Sequence, residues 1–384
     1  MRQLPDPISL ARTLVRTDTS NPPGNEEPAA HLLGGLLEEA GFSVRYPGFA
    51  PGRTNVVAEL PGADMDGCLC LSGHMDTVPA GQGTWSRPPF SGELAEGRLW
   101  GRGSADMKGG VAALVSAAVR VAARAARSGR PLARGLRVVL SAGEETGLDG
   151  AKFLETQPGL LGRAGAVVVA EPTDCRLLLG HKGVLWLDGT SLGRSAHGSM
   201  PEQGDNALYK ACEAALKLRD AFAEATQSAD HPVMGRPTLS VNTLRAGGKI
   251  NVVPARAELE VDIRLTPGLS GLALMGRLQE TAGELCELRL RDCHGPAWTE
   301  PDHPFALEAA EAAKRATGAA HPPAAAPYFT DGSVLARAYP GAGLVLFGPG
   351  APSACHTTDE SCPVEQIATA ATFYEDLAAA WCRP

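Results

Sequence analysis

Short apolar runs that end in histidine or in acidic residues constrain the fold of this 384-residue chain more than any other feature. The first run covers residues 68–73, and it delivers His74 and, two positions later, Asp76. Such a run is typical of a buried strand, and residues i and i+2 of an extended backbone point to the same side. Asp76 is therefore predicted to fix the imidazole of His74 by a hydrogen bond, as in a metal site, although an ordinary polar turn after a strand gives the same pattern.

Two further apolar runs end in the same way. A strand predicted at 136–140 is followed by Glu144 and Glu145, and a strand predicted at 164–170 is followed by Glu171. In open α/β sheets, ligands bind outside the carboxyl ends of the strands, so these carboxylates are predicted to converge. Adjacent glutamates repel each other, which a metal ligand beside a general base would explain. The alternative is a solvated acidic turn that opens a helix.

A glycine-rich segment at 101–110 places Asp106 at a tight turn before an Ala-rich helix predicted at 109–127. A phosphate-binding Walker motif is absent, because Lys108 is followed by Gly109 and not by Ser or Thr. Glycines let the backbone come close to a metal centre, which makes Asp106 a candidate ligand. A simple helix-entry aspartate is the alternative.

The order of the predicted elements divides the chain into two domains. A catalytic domain is predicted at 1–181 and 294–384, interrupted by a lid domain at 182–293 with the order βαββαβ of a ferredoxin-like α+β fold. Outside the runs already named, helices are predicted at 6–17, 26–40, 205–225, 304–316 and 363–381, and strands at 54–60, 183–187, 237–244, 251–265, 286–291 and 343–347.

Composition and charge exclude several classes of function. A formal net charge of −8 argues against nucleic acid or an anionic membrane as the main partner. The N-terminus has no apolar signal region and no later stretch is expected to cross a bilayer, so the predicted location is the cytoplasm. Nine cysteines, an odd number, are predicted to be free thiols.

The residues gathered so far, with a histidine near the C-terminus, form a metal-ligand inventory of two imidazoles and three carboxylates: His74, Asp106, Glu145, Glu171 and His356. That inventory suits two zinc-like divalent ions, one carboxylate bridging them, with a position left open for water. Glu144, beside them, is a candidate general base.

Six motifs in this order along the chain resemble those of the zinc-dependent amidohydrolase family of acetylornithine deacetylase, succinyl-diaminopimelate desuccinylase, aminoacylase and carboxypeptidase G. They are GHMDTVP at 73–79, GRGSADMKG at 101–109, GEE at 143–145, EPT at 171–173, AHG at 196–198 and HTTDE at 356–360. The resemblance covers nearly the whole chain. It implies an α/β fold: a zinc-peptidase-like catalytic domain with a central mixed sheet flanked by helices, plus an inserted lid that also dimerises.

The resemblance also implies a ligand set. Asp106 bridges two divalent ions, most simply zinc with cobalt or manganese as substitutes. His74 and Glu171 complete one site, and Glu145 and His356 complete the other.

The resemblance further implies catalytic roles. Asp76 orients His74, while Glu144 takes the proton of the activated water and later delivers it to the leaving amine. His197 donates to the tetrahedral oxyanion across a homodimer interface, unless it is only a structural loop histidine. The peptide Asp106–Met107 is expected to be cis, as in family members.

For substrate binding, the resemblance implies that Asn251 and Arg264 hold the α-carboxylate and that Thr330 lies near the substrate. Arg264 could instead form a surface ion pair. The small glycines usual before Thr330 are replaced here by Tyr328–Phe329, which changes the expected size of the pocket. Cys355, where alanine is common, adds a thiol beside a predicted ligand.

The predicted function is metal-dependent hydrolysis of the amide bond of N-acylated amino acids, of the deacetylase or desuccinylase type. The alternative is a carboxypeptidase or dipeptidase that acts on short peptides. A non-catalytic ligand-binding protein on the same scaffold is a more remote alternative, since it predicts the loss of a ligand or of the base. The expected partners are a small-molecule substrate and a second copy of the chain, not nucleic acid or a membrane.

Overall fold

The computed structural model describes residues 4–383, so the predicted outer limits of the catalytic domain at 1 and 384 lie outside it. The helices are α1 Pro7–Arg16, α2 Glu27–Glu39, α3 Gly109–Ser128, α4 Asp149–Thr156, α5 Ala207–Ala225, α6 Gly271–Ala282, α7 Pro304–Thr317, α8 Gly332–Ala338 and α9 Val364–Trp381. The strands are β1 Ser43–Arg45, β2 Gly48–Ala50, β3 Arg53–Thr54, β4 Val56–Leu60, β5 Gly62–His74, β6 Glu93–Ala95, β7 Arg98–Trp100, β8 Leu132–Ser141, β9 Ala166–Val169, β10 Gly180–His181, β11 Gly183–Leu192, β12 Thr238–Ala246, β13 Arg256–Leu265, β14 Glu287–His294, β15 Ala297–Trp298, β16 Gly343–Leu346 and β17 Ser361–Pro363.

The described chain forms two compact units. The first, called unit 1, contains the residues up to Gly180, then Trp298–Ala324, and then everything from Thr330 onward. The second, called unit 2, contains His181–Ala297 and Ala325–Phe329. Unit 2 thus begins one residue before the predicted lid and ends four residues after it, and it also includes a short later segment that no composition shift marked.

Unit 1 is built on a mixed sheet, as predicted. Its strands lie in the order β1, β4, β8, β5, β9 and β16. The last four run parallel to one another, whereas β1 and β4 are antiparallel to their neighbours. Strand β9 is buried along its whole length, which is the pattern of a parallel strand covered by helices on both faces.

The carboxyl ends of the parallel strands meet at one edge of this sheet. His74 ends β5 level with Ser141, the last residue of β8. Ser72 is level with Val169, the last residue of β9. The segments that follow these strands therefore emerge together, and this edge is where open α/β sheets place their ligands.

Helix α3 is the longest element of the core of unit 1. Gly110 lets its first turn press against β9, because a Cβ there would lie 2.2 Å from the carbonyl oxygen of Ala170. The expectation that no stretch is long and apolar enough to cross a bilayer is wrong by length and composition alone: the 25 residues Ser104–Ser128 pass that test. Most of this helical stretch is buried inside the protein, as expected for a core helix.

Unit 2 has the predicted βαββαβ order. Its four strands lie in the order β12, β13, β11 and β14, each antiparallel to its neighbour. Along β13 every second residue is buried, and those residues belong to a core shared with α5 and α6. Alternate burial of this kind means that one face of the sheet packs on the helices.

Most predicted ranges match an element within a few residues, although α4 and α6 had no predicted range and the strand predicted at 251–265 begins only at Arg256. The predicted start of β5 at 68 is also wrong, because the strand begins at Gly62. The added residues include two aspartates and are exposed or half-buried, and a register irregularity between Asp64 and Leu69 separates their pairing with β8 from the buried part. A hydrophobic pattern does not detect such an extension. None of the nine cysteines, all of which lie within the described residues, forms a disulfide bond, as predicted.

Candidate metal centre

Asp106 lies between two imidazoles. Its Oδ1 is 3.1 Å from Nε2 of His74, and its Oδ2 is 3.3 Å from Nε2 of His356. Burial alone would raise the pKa of Asp106, but the hydrogen bonds and charges of the two histidines hold it well below its usual range. A carboxylate with one oxygen turned to each histidine has the geometry that a bridging ligand requires.

The irregular backbone before α3 presents Asp106 in this way. The helical stretch Ser104–Lys108 departs from helical angles at Asp106, with φ −117° and ψ 97°, and at Met107. The peptide between these two residues is cis, so that prediction is confirmed.

Glu145 and His356 complete one side of the cluster. The Nε2 atom of His356 is 3.0 Å from Oε2 of Glu145. Donor atoms of His74, Asp106 and Glu145 all lie within 4.8 Å of one another. His356 has a φ of 59°, a left-handed conformation that is uncommon outside glycine and that collects at functional sites.

Contacts of the Nδ1 atom set the orientation of the His74 imidazole. That atom lies 3.0 Å from the backbone carbonyl oxygen of Asp76 and 3.5 Å from its carboxylate Oδ1. The predicted contact with the carboxylate is therefore present, but the shorter bond is to the carbonyl. Because β5 ends at His74, the extended-strand geometry assumed for the next two residues does not apply. A donor bond from Nδ1 leaves Nε2 free as a ligand atom.

The Asp76 carboxylate has a second task that the sequence did not indicate. Its Oδ1 accepts a hydrogen bond from the backbone N–H of Glu144 at 3.0 Å, and its Oδ2 accepts one from that of Glu145 at 3.2 Å. Asp76 thus fixes the turn that carries both glutamates, and the carboxyl ends of β5 and β8 are tied together at the site.

Glu144 and Glu171 carry raised pKa values. For Glu144 the main cause is burial; the nearby charge of His74 lowers the pKa, and the charges of Glu171, Glu145 and Asp331 raise it further. Burial is also the main cause of the raised pKa of Glu171, and the nearby charge of His74 lowers that pKa. A carboxylate with a raised pKa holds a proton more tightly, which suits a general base.

The donor set fits divalent cations. Imidazole nitrogens and carboxylate oxygens are the ligands that zinc takes, and the cluster offers both within one small space. Buried carboxylates that raise one another's pKa repel, and a cation among them would relieve that repulsion. The ligand roles of all five residues remain predictions.

Glu360 holds the Asp106 loop and was missed by sequence reasoning. Its side chain is fully buried and forms an ion pair with Arg102. Its carboxylate also accepts the backbone N–H groups of Gly103 at 3.0 Å, Ala105 at 2.9 Å and Asp106 at 3.0 Å. Glu360 stands four residues after His356 and so links the loops of two predicted ligands. The only signal in the sequence was its place in the HTTDE motif.

Thr330 is fully buried, and its Oγ1 accepts the N–H of Gly332 at 2.9 Å at the start of α8. This short bond closes a turn just before α8, and the substrate role of Thr330 remains a prediction. The next residue, Asp331, is buried and hydrogen-bonds to Ser141 at the end of β8. Its charge also raises the pKa of Glu144, which places Asp331 among the site residues.

Cys355 is partly buried, and burial raises the pKa of its thiol, with the charges of Asp106, Glu360 and Glu171 adding to the effect. A thiol in this state is less reactive than a free one, so the burial-only interpretation is favoured.

In unit 2, two predicted residues lie side by side. His197 is exposed, with its Nδ1 2.7 Å from Oγ of Ser199. Gly198 donates its N–H to the carbonyl oxygen of Asn251 at 2.8 Å. A Cβ on Gly198 would lie 3.1 Å from the backbone of Asn251, so glycine permits this close approach.

Arg264 is engaged by Asp262. Its Nε and Nη2 donate to the two carboxylate oxygens at 2.7 and 2.8 Å, and Asp262 also accepts from Nε1 of Trp186 at 2.8 Å. The ion-pair alternative is thus present in the structure. The guanidinium lies over the ring of Phe329, 5.7 Å from its centroid, and that ring stacks on His294.

Comparison with known proteins agrees with this geometry. The profile described as Peptidase family M20/M25/M40 matches residues 70–380. The chain is 32% identical to an acetylornithine deacetylase from Proteus mirabilis (strain HI4320), over 73% of this chain and 70% of that protein. It is also 32% identical to a succinyl-diaminopimelate desuccinylase from Rhodospirillum rubrum, over 82% of this chain and 83% of the relative.

Solved structures share the fold. An M20 family metallo-carboxypeptidase from Sulfolobus solfataricus superimposes with a TM-score of 0.82 at 18% identity, covering 98% of this chain and 99% of that one. A dinuclear metal binding peptidase of the M20 family from Bacillus subtilis gives a TM-score of 0.72 at 18% identity, covering 98% and 97%. From the matched family profile and these relatives, the chain belongs to the peptidase family M20/M25/M40 and is a hydrolase that acts on amide bonds.

Proposed function

We propose that this enzyme hydrolyses the amide bond of N-acylated amino acids, as a deacetylase or desuccinylase. The observation that carries the proposal is the Asp106 carboxylate between His74 and His356, with the base candidate Glu144 beside it. The named relatives, two kinds of N-deacylase, set the substrate class.

Two divalent ions, most simply zinc, complete the proposed site. Asp106 would bridge them, with His74 and Glu171 on one side and Glu145 and His356 on the other. Ions held there would supply Lewis acidity, which lowers the pKa of water and polarises the amide carbonyl.

Glu144 is the proposed proton carrier. Its raised pKa favours uptake of a proton from the attacking water, and the same carboxyl then delivers that proton to the departing amine. The backbone N–H of Glu144 is held by Asp76, which fixes the turn from which the side chain extends.

Unit 2 is proposed to bind the rest of the substrate. The adjacent His197 and Asn251 are the proposed donors to the oxyanion and to the α-carboxylate. For Arg264, pairing of Nε and Nη2 with Asp262 leaves the Nη1 donors for a carboxylate.

A panel of substrates at fixed zinc load tests the proposal. N-acetyl and N-succinyl amino acids are compared with dipeptides and tripeptides, and released acetate, succinate or amino acid is measured. Acid release with at least tenfold higher kcat/KM than any peptide is the expected outcome. Preferred release of a C-terminal amino acid would establish the peptidase alternative, which the description of the family also favours. No turnover of either class would support the ligand-binding alternative.

Metal content tests the two-ion site separately. Between one and two zinc ions per chain are expected in active protein, and chelation should abolish turnover that added zinc restores. Well under one ion per chain in fully active enzyme would refute the site.

A homodimer through unit 2 is also part of the proposal. Strand β12 is at the edge of its sheet, and the apolar side chains of Tyr209, Ile250 and Val252 are exposed on the same unit. Sedimentation should give a dimer for the native chain and a monomer for Tyr209→Asp. A monomeric native chain at micromolar concentration would contradict it.

A further inference from the structure

A segment near the N-terminus reaches the metal centre although it lies outside residues 70–380, which the family profile matches. This segment, residues 17–21, is called the N-terminal strap. Its backbone runs beside the end of β5: Thr77 donates its N–H to the carbonyl of Thr19 at 3.2 Å, and Asn21 donates its N–H to the carbonyl of Thr77 at 2.8 Å.

Two side chains fasten the strap. Oγ1 of Thr19 donates to the carbonyl oxygen of Met75 at 2.8 Å. The ammonium of Lys108, two residues after Asp106, donates to the carbonyl oxygen of Thr17 at 2.7 Å. The strap is thus tied both to the segment that follows His74 and to the segment that follows Asp106.

Asn21 connects the strap to the site. Its side chain is buried, with 3% of its surface exposed, and Nδ2 donates to Oδ2 of Asp76 at 2.9 Å. The same Nδ2 lies 3.0 Å from Oγ1 of Thr146, which itself donates to Asp149 and therefore accepts from Asn21. Both hydrogens of the amide are used, so the network fixes which way the amide faces.

The Asp76 carboxylate that Asn21 holds touches three parts of the site. It accepts the N–H groups of Glu144 and Glu145, and it lies 3.5 Å from Nδ1 of His74. Asn21 supplies a side-chain donor to this fully buried carboxylate, and a hydrogen bond to a charged acceptor is stronger than a neutral one.

We propose that Asn21 is a positioning residue of the metal centre: by holding the Asp76 carboxylate it fixes the imidazole of His74 and the turn that carries Glu144 and Glu145. The inference rests on the proposed metal site. Within the strap it assigns this role to Asn21 alone, and groups that orient metal ligands typically change metal affinity or activity about 10- to 100-fold when removed.

The test compares Asn21→Ala with Thr19→Val in the full-length protein. Thr19→Val removes a buried hydrogen bond from the same strap without touching Asp76, so it is the matched control for a purely structural effect. Affinity for Zn²⁺ and Co²⁺ is measured by competition with a chelator, the visible spectrum of the Co²⁺-loaded protein is recorded, and thermal unfolding is measured without metal.

Asn21→Ala should weaken metal affinity about 10- to 100-fold and alter the Co²⁺ spectrum. Thr19→Val should lower the unfolding temperature but leave affinity within threefold and the spectrum unchanged. The inference is overturned if Asn21→Ala keeps native affinity and spectrum and loses only stability.

If Asn21→Ala fails to fold, Asn21→Leu replaces it, because leucine has the branched shape of the asparagine side chain but no donor for Asp76. A several-fold loss of metal affinity is then expected, and native affinity overturns the inference. These readouts do not depend on the substrate. An enzyme inactive on every acyl amino acid refutes the proposed function alone, whereas unchanged metal affinity in an active Asn21 variant refutes the inference alone.

Discussion

The two units of this protein differ in whether their charged side chains are buried. Unit 1 buries charged and titratable side chains beside its metal centre, among them His74, Asp76, Lys108, Asp331 and Glu360. Within unit 2, all of whose residues are described, no Asp, Glu, Lys or Arg side chain is fully buried. Its charges form exposed pairs such as Arg291 with Asp188 and Glu260.

The difference shows where the burial of charge has to be offset. Burying charge opposes folding unless each group is paired, and unit 1 supplies such partners both at the metal centre and away from it, where Arg137 pairs with Glu59. Exposed pairs contribute little because water and salt screen them. Fully buried charge is therefore confined to the unit that holds the candidate metal ligands, whereas the charged side chains of unit 2, Arg264 among them, keep some contact with solvent.

The largest expected effect follows from removing the base. Glu144→Ala should lower kcat about 10²- to 10⁴-fold, because proton transfer by a positioned carboxyl is lost. Metal content, measured by atomic absorption, should stay that of the native protein, since Glu144 is not among the proposed ligands. Glu311→Ala, at an exposed position of α7, is the control and should behave as the native chain. Full activity of Glu144→Ala would contradict the assigned role.

Breaking one charge pair in each unit compares the two directly. Arg102→Met leaves the fully buried Glu360 without its cation and should lower the free energy of unfolding by about 3–5 kcal/mol. Arg291→Met removes an exposed arginine, with 45% of its side chain accessible, and should cost less than about 1 kcal/mol. Urea unfolding of both variants measures the difference. An equal decrease in the free energy of unfolding for both variants would show that buried and exposed pairs contribute equally to stability.

A buried histidine gives a smaller, pH-dependent effect in unit 2. Burial lowers the pKa of His181 from 6.5 to about 4, although a hydrogen bond to the carbonyl of Lys182 raises it and the charge of His294 lowers it further. Between these values the unfolded chain binds a proton that the folded chain does not, so stability falls as the pH falls from 6.5 to 4. The loss at the acid end is roughly 3 kcal/mol.

His181→Asn should remove this loss while keeping a donor for the carbonyl of Lys182. Urea unfolding at pH 7 and pH 4.5 measures the change, and the variant should show a smaller drop in stability between the two than the native chain. The exposed His31→Asn is the control. An unchanged drop in the His181 variant would mean that this histidine is protonated in the folded protein.

The sequence predicted the parts of the site that depend on local pattern. Buried parallel strands are short apolar runs, and ligands follow their carboxyl ends, so His74, Glu144, Glu145 and Glu171 could be proposed without coordinates. The start of β5 was missed because it has no continuous apolar run.

Substrate-binding residues were harder to predict from the sequence. Thr330 belongs to a motif near the substrate in the resembling family; its hydroxyl is buried and bonded to the N–H of Gly332, and its substrate role remains a prediction. Two interpretations of Arg264 were possible from the sequence, substrate binding and an ion pair. The structure contains the ion pair with Asp262, which the sequence indicates only because residues i and i+2 of a strand share one face.

By itself the sequence determined which side chains are candidates for the chemistry and in which order the elements occur, because both follow from residue type and from periodicity along the chain. The tertiary structure alone decided which atoms hold those side chains. The bonds from Glu360 to the Asp106 loop and from Asn21 to Asp76 join residues 254 and 55 positions apart. No local pattern encodes such partners, since only the packing of distant segments brings a buried carboxylate to the N–H groups that satisfy it.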